Sequence, residues 1–175
     1  RDWSSDVCSS DLMVGTRLDN FNGVAFGNLF LAALTQMTGS FERAVVELNR
    51  LLNPFAEILP VTLDNTHLCA ELVDGSIRYE EVSVRGIQKP AIRRVYLRDD
   101  GVQAYGPVTE AIKGADLITI GPGSLFTTVI ACLIVPGIRE AIEQARDRGA
   151  TVVYVCNTTT QPGQTDGVTI SDHIA

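Results

Sequence analysis

The stretch DLITIGPGSLFTTVIACLIVPGIREAIEQARDRGATVVYV, residues 116–155, decides the fold. DLITI (116–120) and TVVYV (151–155) are short apolar runs that predict buried strands, and between them Ile138, Ala141, Ile142 and Ala145 fall on one face of a helix. Strand, helix and strand make a βαβ unit. Its crossover leaves the two strands parallel, so the loops that follow them lie on one edge of the sheet. Those loops are GPGSLFTT (121–128) and CNTTTQPGQTDG (156–167). Ligands of open α/β sheets collect outside the carboxyl ends of strands, which makes this edge the place to look for a site.

The upstream sequence adds helices and a hairpin to this α/β unit. GNLFLAALTQMTG (27–39) predicts a helix stopped at Thr-Gly. SFERAVVELNRLLN (40–53) predicts a second, capped by Ser40, with Phe41, Ala44, Val45, Leu48, Leu51 and Leu52 at helical spacing. EILPVTL (57–63) reads as a strand with Pro60 at an edge or bulge, and LCAELVDGSIRY (68–79) as a hairpin turning at Asp74-Gly75 with Leu68, Ala70 and Leu72 inward. IRRVYL (92–97) is a further strand, and PVTEAIKGA (107–115) a helix opening on Pro107. Arg93, Arg94 and Arg98 alternate along a strand, which fits a solvated face better than a phosphate contact.

Composition sets the outer limits. The 175 residues are 45% hydrophobic and 20% charged, enough for one packed domain, and the net charge of -7 without a Lys/Arg cluster argues against a nucleic-acid partner. No apolar run is long enough for a membrane span and no secretory leader pattern opens the chain, so a cytoplasmic setting is expected. Residues 1–12, RDWSSDVCSSDL, form a Ser/Asp-rich near-repeat without periodicity that resembles translated sequencing-adapter sequence; they are set aside as a non-native or disordered tail, leaving 13–175 as the domain. Cys69, Cys132 and Cys156 sit in apolar segments and predict reduced core thiols, not a disulfide framework.

The first loop carries no charge, and that shapes its chemistry. Gly121 and Gly123 predict backbone conformations closed to other residues and a close main-chain approach to a ligand, with Ser124 capping the next helix. N–H groups at that helix start, with the Ser124, Thr127 and Thr128 hydroxyls, favour a phosphate or carboxylate. Without a Lys the loop is no Walker A motif, and without a third glycine it is no dinucleotide fingerprint. The alternative is that Gly-Pro-Gly only makes a tight strand-to-helix turn. The second loop, rich in amides and hydroxyls, suits hydrogen bonds to a sugar, base or ribose; its plainer reading is a solvated surface loop. Cys156 ends a strand beside this edge, but no His is near it in sequence, and Asp172 with His173 lack a third metal ligand.

Four blocks resemble a known family: FGNLFLAALTQMTGSFERAV (26–45), ILPVTLDNTHLCAELVDG (58–75), ADLITIGPGSLFTTVIACLIVPGI (115–138) and VYVCNTTTQPGQTDGVTISDHI (153–174). They are similar, in the same order, to the YvcK-type gluconeogenesis factors, described as uridine diphosphate-N-acetylglucosamine-binding proteins, within the CofD-like 2-phospho-L-lactate transferase group. The resemblance implies a Rossmann-like three-layer domain with a mainly parallel sheet and a β-hairpin insertion. Carried onto this sequence, the family's ligand-binding positions match Gly27 and Asn28, then Gly121, Pro122, Gly123, Ser124 and Thr127, then Asn157, Thr160, Gln161, Gly163, Thr165 and Asp166. Phe126, Gln164 and Val24 depart from the Tyr, Glu and His of many members, removing a hydroxyl and a charge at the first two. The family's glycine-rich first strand is not found in this sequence and the family continues beyond Ala175, so an internal fragment is expected.

What the resemblance implies is a nucleotide-sugar sensor acting on carbon metabolism, cell-wall synthesis and cell shape. No acid, base or nucleophile stands out in the two loops, which favours binding over catalysis. The alternative is an enzyme that transfers a phospholactyl group to a deazaflavin precursor, with magnesium on the phosphates. A uridine diphosphate sugar is the expected ligand, magnesium enters only under the transferase alternative, and the expected partners are proteins of cell-wall regulation, with homodimerisation left open.

Overall fold

The computed structural model describes residues 26–52, 55–79, 83–84 and 86–173. The tail at 1–12 and the departure at Val24 lie outside the described residues. Helix α1 (Phe26–Thr38) ends where Gly39 takes φ 73°, and the Thr38 hydroxyl donates to the Leu34 carbonyl at 2.8 Å. Helix α2 (Phe41–Leu52) follows at once, its Arg43 N–H donating to Ser40 Oγ as the sequence predicts. The two helices bury Leu31, Leu34, Ala44 and Val45 against each other, with Phe30, Phe41 and Leu48 at the margin. Leu51 and Leu52, at helical spacing with that face, are instead more than half exposed.

EILPVTL is not a strand. Residues 57–63 are irregular because their backbone groups are taken from the side: Asn49 brackets Ile58, accepting its N–H at 2.9 Å and donating to its carbonyl at 2.8 Å, while the Val61 carbonyl accepts from Tyr105 N–H. A Pro at position 60 removes a further donor that a ladder needs. The hairpin forms where expected, with β1 (Leu68–Leu72) antiparallel to β2 (Ile77–Tyr79). Gly75 takes φ 82°, and the Asp74 carboxylate accepts from both Ser76 N–H (2.9 Å) and Ser76 Oγ (2.7 Å). Strand β3 (Ile92–Leu97) pairs antiparallel with the other side of β1, giving the order β2-β1-β3.

Central β1 is covered on both faces, since Cys69 is as fully buried as Ala70 and Leu72. Burial pushes the Cys69 thiol up, as an apolar site disfavours the thiolate. Cys132, predicted as a core thiol, is exposed, because it falls on the outward side of a helical turn. Arg93 and Arg94 both reach Glu71 (3.1 and 2.7 Å) across β3 and β1, and the two arginines are exposed.

The parallel pair is β4 (Leu117–Ile120) and β5 (Thr151–Tyr154), in register from Leu117 opposite Thr151 to Ile120 opposite Tyr154. Helix α3 (Gly106–Gly114) precedes β4 and packs on α4 (Ile138–Asp147), which completes the crossover with Ile138, Ala141 and Ala145 inward. Both strands are more open than their apolar sequences predict: Leu117 is 60% exposed and Val153 40%. Among the described residues this sheet has two strands, so each strand has an unpaired edge and neither is enclosed. The class is α/β as read, with an antiparallel three-stranded sheet beside the parallel pair. No single helix among the described residues is long and apolar enough to cross a membrane.

These differences in burial predict a contrast in stability. Leu72→Ala, which empties space against Val84, Ile92 and Val95, is expected to cost about 2–5 kcal/mol. Leu117→Ala is expected to stay within about 0.5 kcal/mol, as surface changes do. Urea midpoints at constant m-value check both.

Candidate functional site

Parallel pairing of β4 and β5 delivers the loops after them to one edge, and there they bond to each other. The Ser124 hydroxyl donates to Gln164 Oε1 at 2.6 Å, and Leu125 N–H donates to Gln161 Oε1 at 3.2 Å. Asn157 Nδ2 donates to the Gly123 carbonyl at 2.6 Å. Ser124 has a single hydroxyl proton and gives it to Gln164, so in the 2.5 Å contact with Thr127 Oγ1 the threonine is the donor. Ser124, Thr127 and Gln164 are all buried, which makes this a closed polar network of the kind that specifies one geometry.

Several predicted roles change as a result. Ser124 makes no side-chain cap to the next helix; its hydroxyl faces the other loop, donating to Gln164 and accepting from Thr127. Its carbonyl instead accepts from Thr128 and Val129 N–H, and the chain runs on as a π-helical turn over Leu125–Ile130. Gly121 and Gly123 are not in the left-handed region, so no special backbone conformation explains them. A Cβ on Gly121 would meet nothing within 4 Å, and one on Gly123 would touch the Thr128 side chain at 3.5 Å. Gly121 leaves space in front of the loop, whereas Gly123 lies against the Thr128 and Val129 side chains. Beneath Gly123 the buried Thr128 hydroxyl has no hydrogen-bond partner among the described residues.

Gly163 is a glycine for a different reason. It takes φ 78°, and a Cβ there would lie 2.5 Å from the Gly86 carbonyl oxygen and 3.1 Å from Ile87 Cα. Its N–H donates to Asp166 Oδ2 at 2.6 Å, while Thr165, almost fully buried, closes the loop: Gln161 N–H donates to Thr165 Oγ1 and Thr165 N–H to the Gln161 carbonyl. Asp166 and Thr165 therefore shape the loop from within. Pro122 and Thr160 are exposed at its rim together with Gly121. Gly27 and Asn28 sit in the first turn of α1, Gly27 exposed and Asn28 buried, and among the described residues no hydrogen bond joins either to the two loops.

Two participants escape sequence reasoning. Gln164 is central to the network but enters the sequence reading only as a departure from Glu. Lys89 has no local motif, yet its ammonium donates to the Gly163 carbonyl from 74 residues away. Burial pulls Lys89 below the ordinary lysine range, Arg78 adds to this, and Asp166 opposes it. At the end of β5, Cys156 is half-buried beside Tyr154, whose phenol is pushed up by burial and then by Cys156. A separate concavity of about 250 Å³ lies between α3 and α4, lined by Gln103, Thr109, Lys113, Glu140 and Gln144 among others, and holds none of the predicted site residues.

The family described as 2-phospho-L-lactate transferase CofD matches residues 13–175. A protein named gluconeogenesis factor from Halalkalibacterium halodurans is 43% identical over 161 residues, covering 90% of this chain and 49% of that protein. One of the same name from Bacillus subtilis (strain 168) is 38% identical over 156 residues, covering 89% and 48%. The crystal structure of a UPF0052 family member from Bacillus halodurans superposes with a TM-score of 0.80 at 40% identity, over 93% of this chain and 52% of that one. The chain spans about half the length of the curated relatives it matches.

The two kinds of glycine separate on mutation. Gly163→Ala is expected to lose about 1–3 kcal/mol through backbone strain, with the Gly86 contact adding to it, and Gly121→Ala to remain within about 0.5 kcal/mol of the parent. Thermal denaturation of the two variants side by side checks this.

Proposed function

We propose that this chain, which belongs to the 2-phospho-L-lactate transferase CofD family, is the nucleotide-sugar-binding part of a regulatory protein of the gluconeogenesis factor type. The observation that carries the reading is the bonded pair of loops at the carboxyl edge of β4 and β5, floored by amides and hydroxyls and rimmed by Gly121, Pro122 and Thr160. Open space in front of Gly121 admits a diphosphate close to the backbone. The Thr160 hydroxyl at the rim and the half-buried amides of Asn157 and Gln161 suit the uracil, ribose and sugar of a uridine diphosphate sugar. In a cytoplasmic regulator of carbon metabolism and cell-wall synthesis, the bound sugar would set which protein partners respond.

Transfer of a phospholactyl group is the second reading, favoured by the family's description. It would bring magnesium to the phosphates, where the metal would neutralise developing charge. Within the two loops the single carboxylate is Asp166, and it is occupied by Gly163 N–H. No group of three His, Cys, Asp or Glu side chains among the described residues is placed to hold a metal. The donor set fits a sugar nucleotide better than a metal-dependent transfer.

Uridine diphosphate-N-acetylglucosamine at 100-fold over its dissociation constant is expected to stabilise the protein by about 2.7 kcal/mol, raising the melting temperature on the order of 5–10 °C. Gly121→Val is expected to melt like the parent without ligand and to lose the shift, since its side chain fills the space in front of the loop. Stabilisation by nicotinamide nucleotides alone counts against the reading, and turnover of a phospholactyl donor with magnesium supports the transferase.

A further inference from the structure

We infer that Lys89 is a positioning residue for the candidate site: its bond to the Gly163 carbonyl, with the Gly86–Ile87 backbone packed on Gly163, holds the Gln161–Asp166 loop where Gln161 and Gln164 reach Leu125 and Ser124. The inference rests on the preceding reading only for what the loop is positioned to bind.

The loop is short and closed on itself by four bonds: Gly163 N–H to Asp166 Oδ2, Gln161 N–H to Thr165 Oγ1, and both Gln164 N–H and Thr165 N–H to the Gln161 carbonyl. Those bonds fix its shape but not its place. Its place is set by contacts at both ends. On one side Gln161 and Gln164 meet the β4 loop; on the other Lys89 and Gly86–Ile87, from the segment between β2 and β3, meet Gly163. The segment between β2 and β3 is thereby tied to the loop after β5 at Gly163, whose missing side chain permits the approach.

Charge distinguishes this contact from packing. The groups that act on the Lys89 ammonium are Arg78 of β2, which opposes its charge, and Asp166 of the loop, which favours it. Burial outweighs Asp166, so Lys89 titrates below an ordinary lysine. A lysine whose folded-state value is lowered destabilises the fold while it is charged, and that cost disappears as pH rises from the folded to the unfolded value. At neutral pH the ammonium is therefore held in place against a burial penalty, beside the Gly163 carbonyl that accepts its hydrogen bond. What the ammonium returns is local: a donor that a neutral side chain of the same length cannot supply.

Hydrogen exchange in the unliganded protein tests this without reference to any ligand. In Lys89→Met the amides of Gly163, Gln164 and Thr165 are expected to exchange on the order of 10-fold faster, with α2 and β1 unchanged and the melting temperature equal to or above the parent's. Lys89→Arg, which keeps charge and donors, is expected to exchange like the parent. Unchanged exchange at the three amides in Lys89→Met, a uniform rise that includes α2 and β1, or Lys89→Arg exchanging as fast as Lys89→Met would overturn the inference. Titration of the same proteins with uridine diphosphate-N-acetylglucosamine keeps the two ideas apart. A parent that fails to bind sinks the nucleotide-sugar reading and leaves the exchange result to decide the role of Lys89. A parent that binds, beside a Lys89→Met variant that binds equally well, sinks the positioning role and leaves the reading intact.

Discussion

The arrangement depends on side-chain amides of one loop satisfying the other. Gln164 takes the Ser124 proton and Gln161 takes the Leu125 N–H, so each loop supplies groups that would otherwise be buried without partners. Removing either side would leave a buried polar atom unpaired, a penalty of about 1–3 kcal/mol that makes the joined state strongly preferred. Because β4 and β5 are parallel neighbours in register, the loops after Ile120 and Tyr154 start beside each other, and the network needs no long-range search to form.

That network also changes what kind of binding the edge can offer. A glycine-rich turn before a helix normally presents free N–H groups and a capping hydroxyl to an anion. Here the Leu125 N–H and the Ser124 hydroxyl face inward, and Ser124 is followed by a π-helical turn in place of a regular α-helical start. The surface left open is made of backbone at Gly121 and, less exposed, Gly123, with the rim residues Pro122 and Thr160. Such a surface recognises shape and hydrogen-bonding pattern more than charge, which suits a nucleotide sugar. Lys89, from the segment between β2 and β3, is engaged with the Gly163 carbonyl.

Much of this was legible in the residues alone, where a local signal carried it. Helical spacing and Ser40 placed α2, Asp74-Gly75 placed the hairpin turn, and the two apolar runs around Ile138–Asp147 placed the crossover and hence the common edge. The failures are non-local. EILPVTL has the composition of a strand, but Asn49, on the preceding helix, captures the backbone of Ile58. DLITI has the composition of an enclosed strand, yet burial depends on neighbours that a single segment does not encode. Gly163 looks like a ligand-approach glycine until Gly86 is found against it, and Lys89 lies too far along the chain for any spacing rule to connect them.

The most direct measurement is a two-dimensional amide NMR titration of the protein with uridine diphosphate-N-acetylglucosamine. The account predicts that Gly121, Gly123, Thr160 and Gln161 move together, along one binding curve, because both loops border one site. Shifts confined to one loop, or gathered instead around the concavity between α3 and α4, would contradict it.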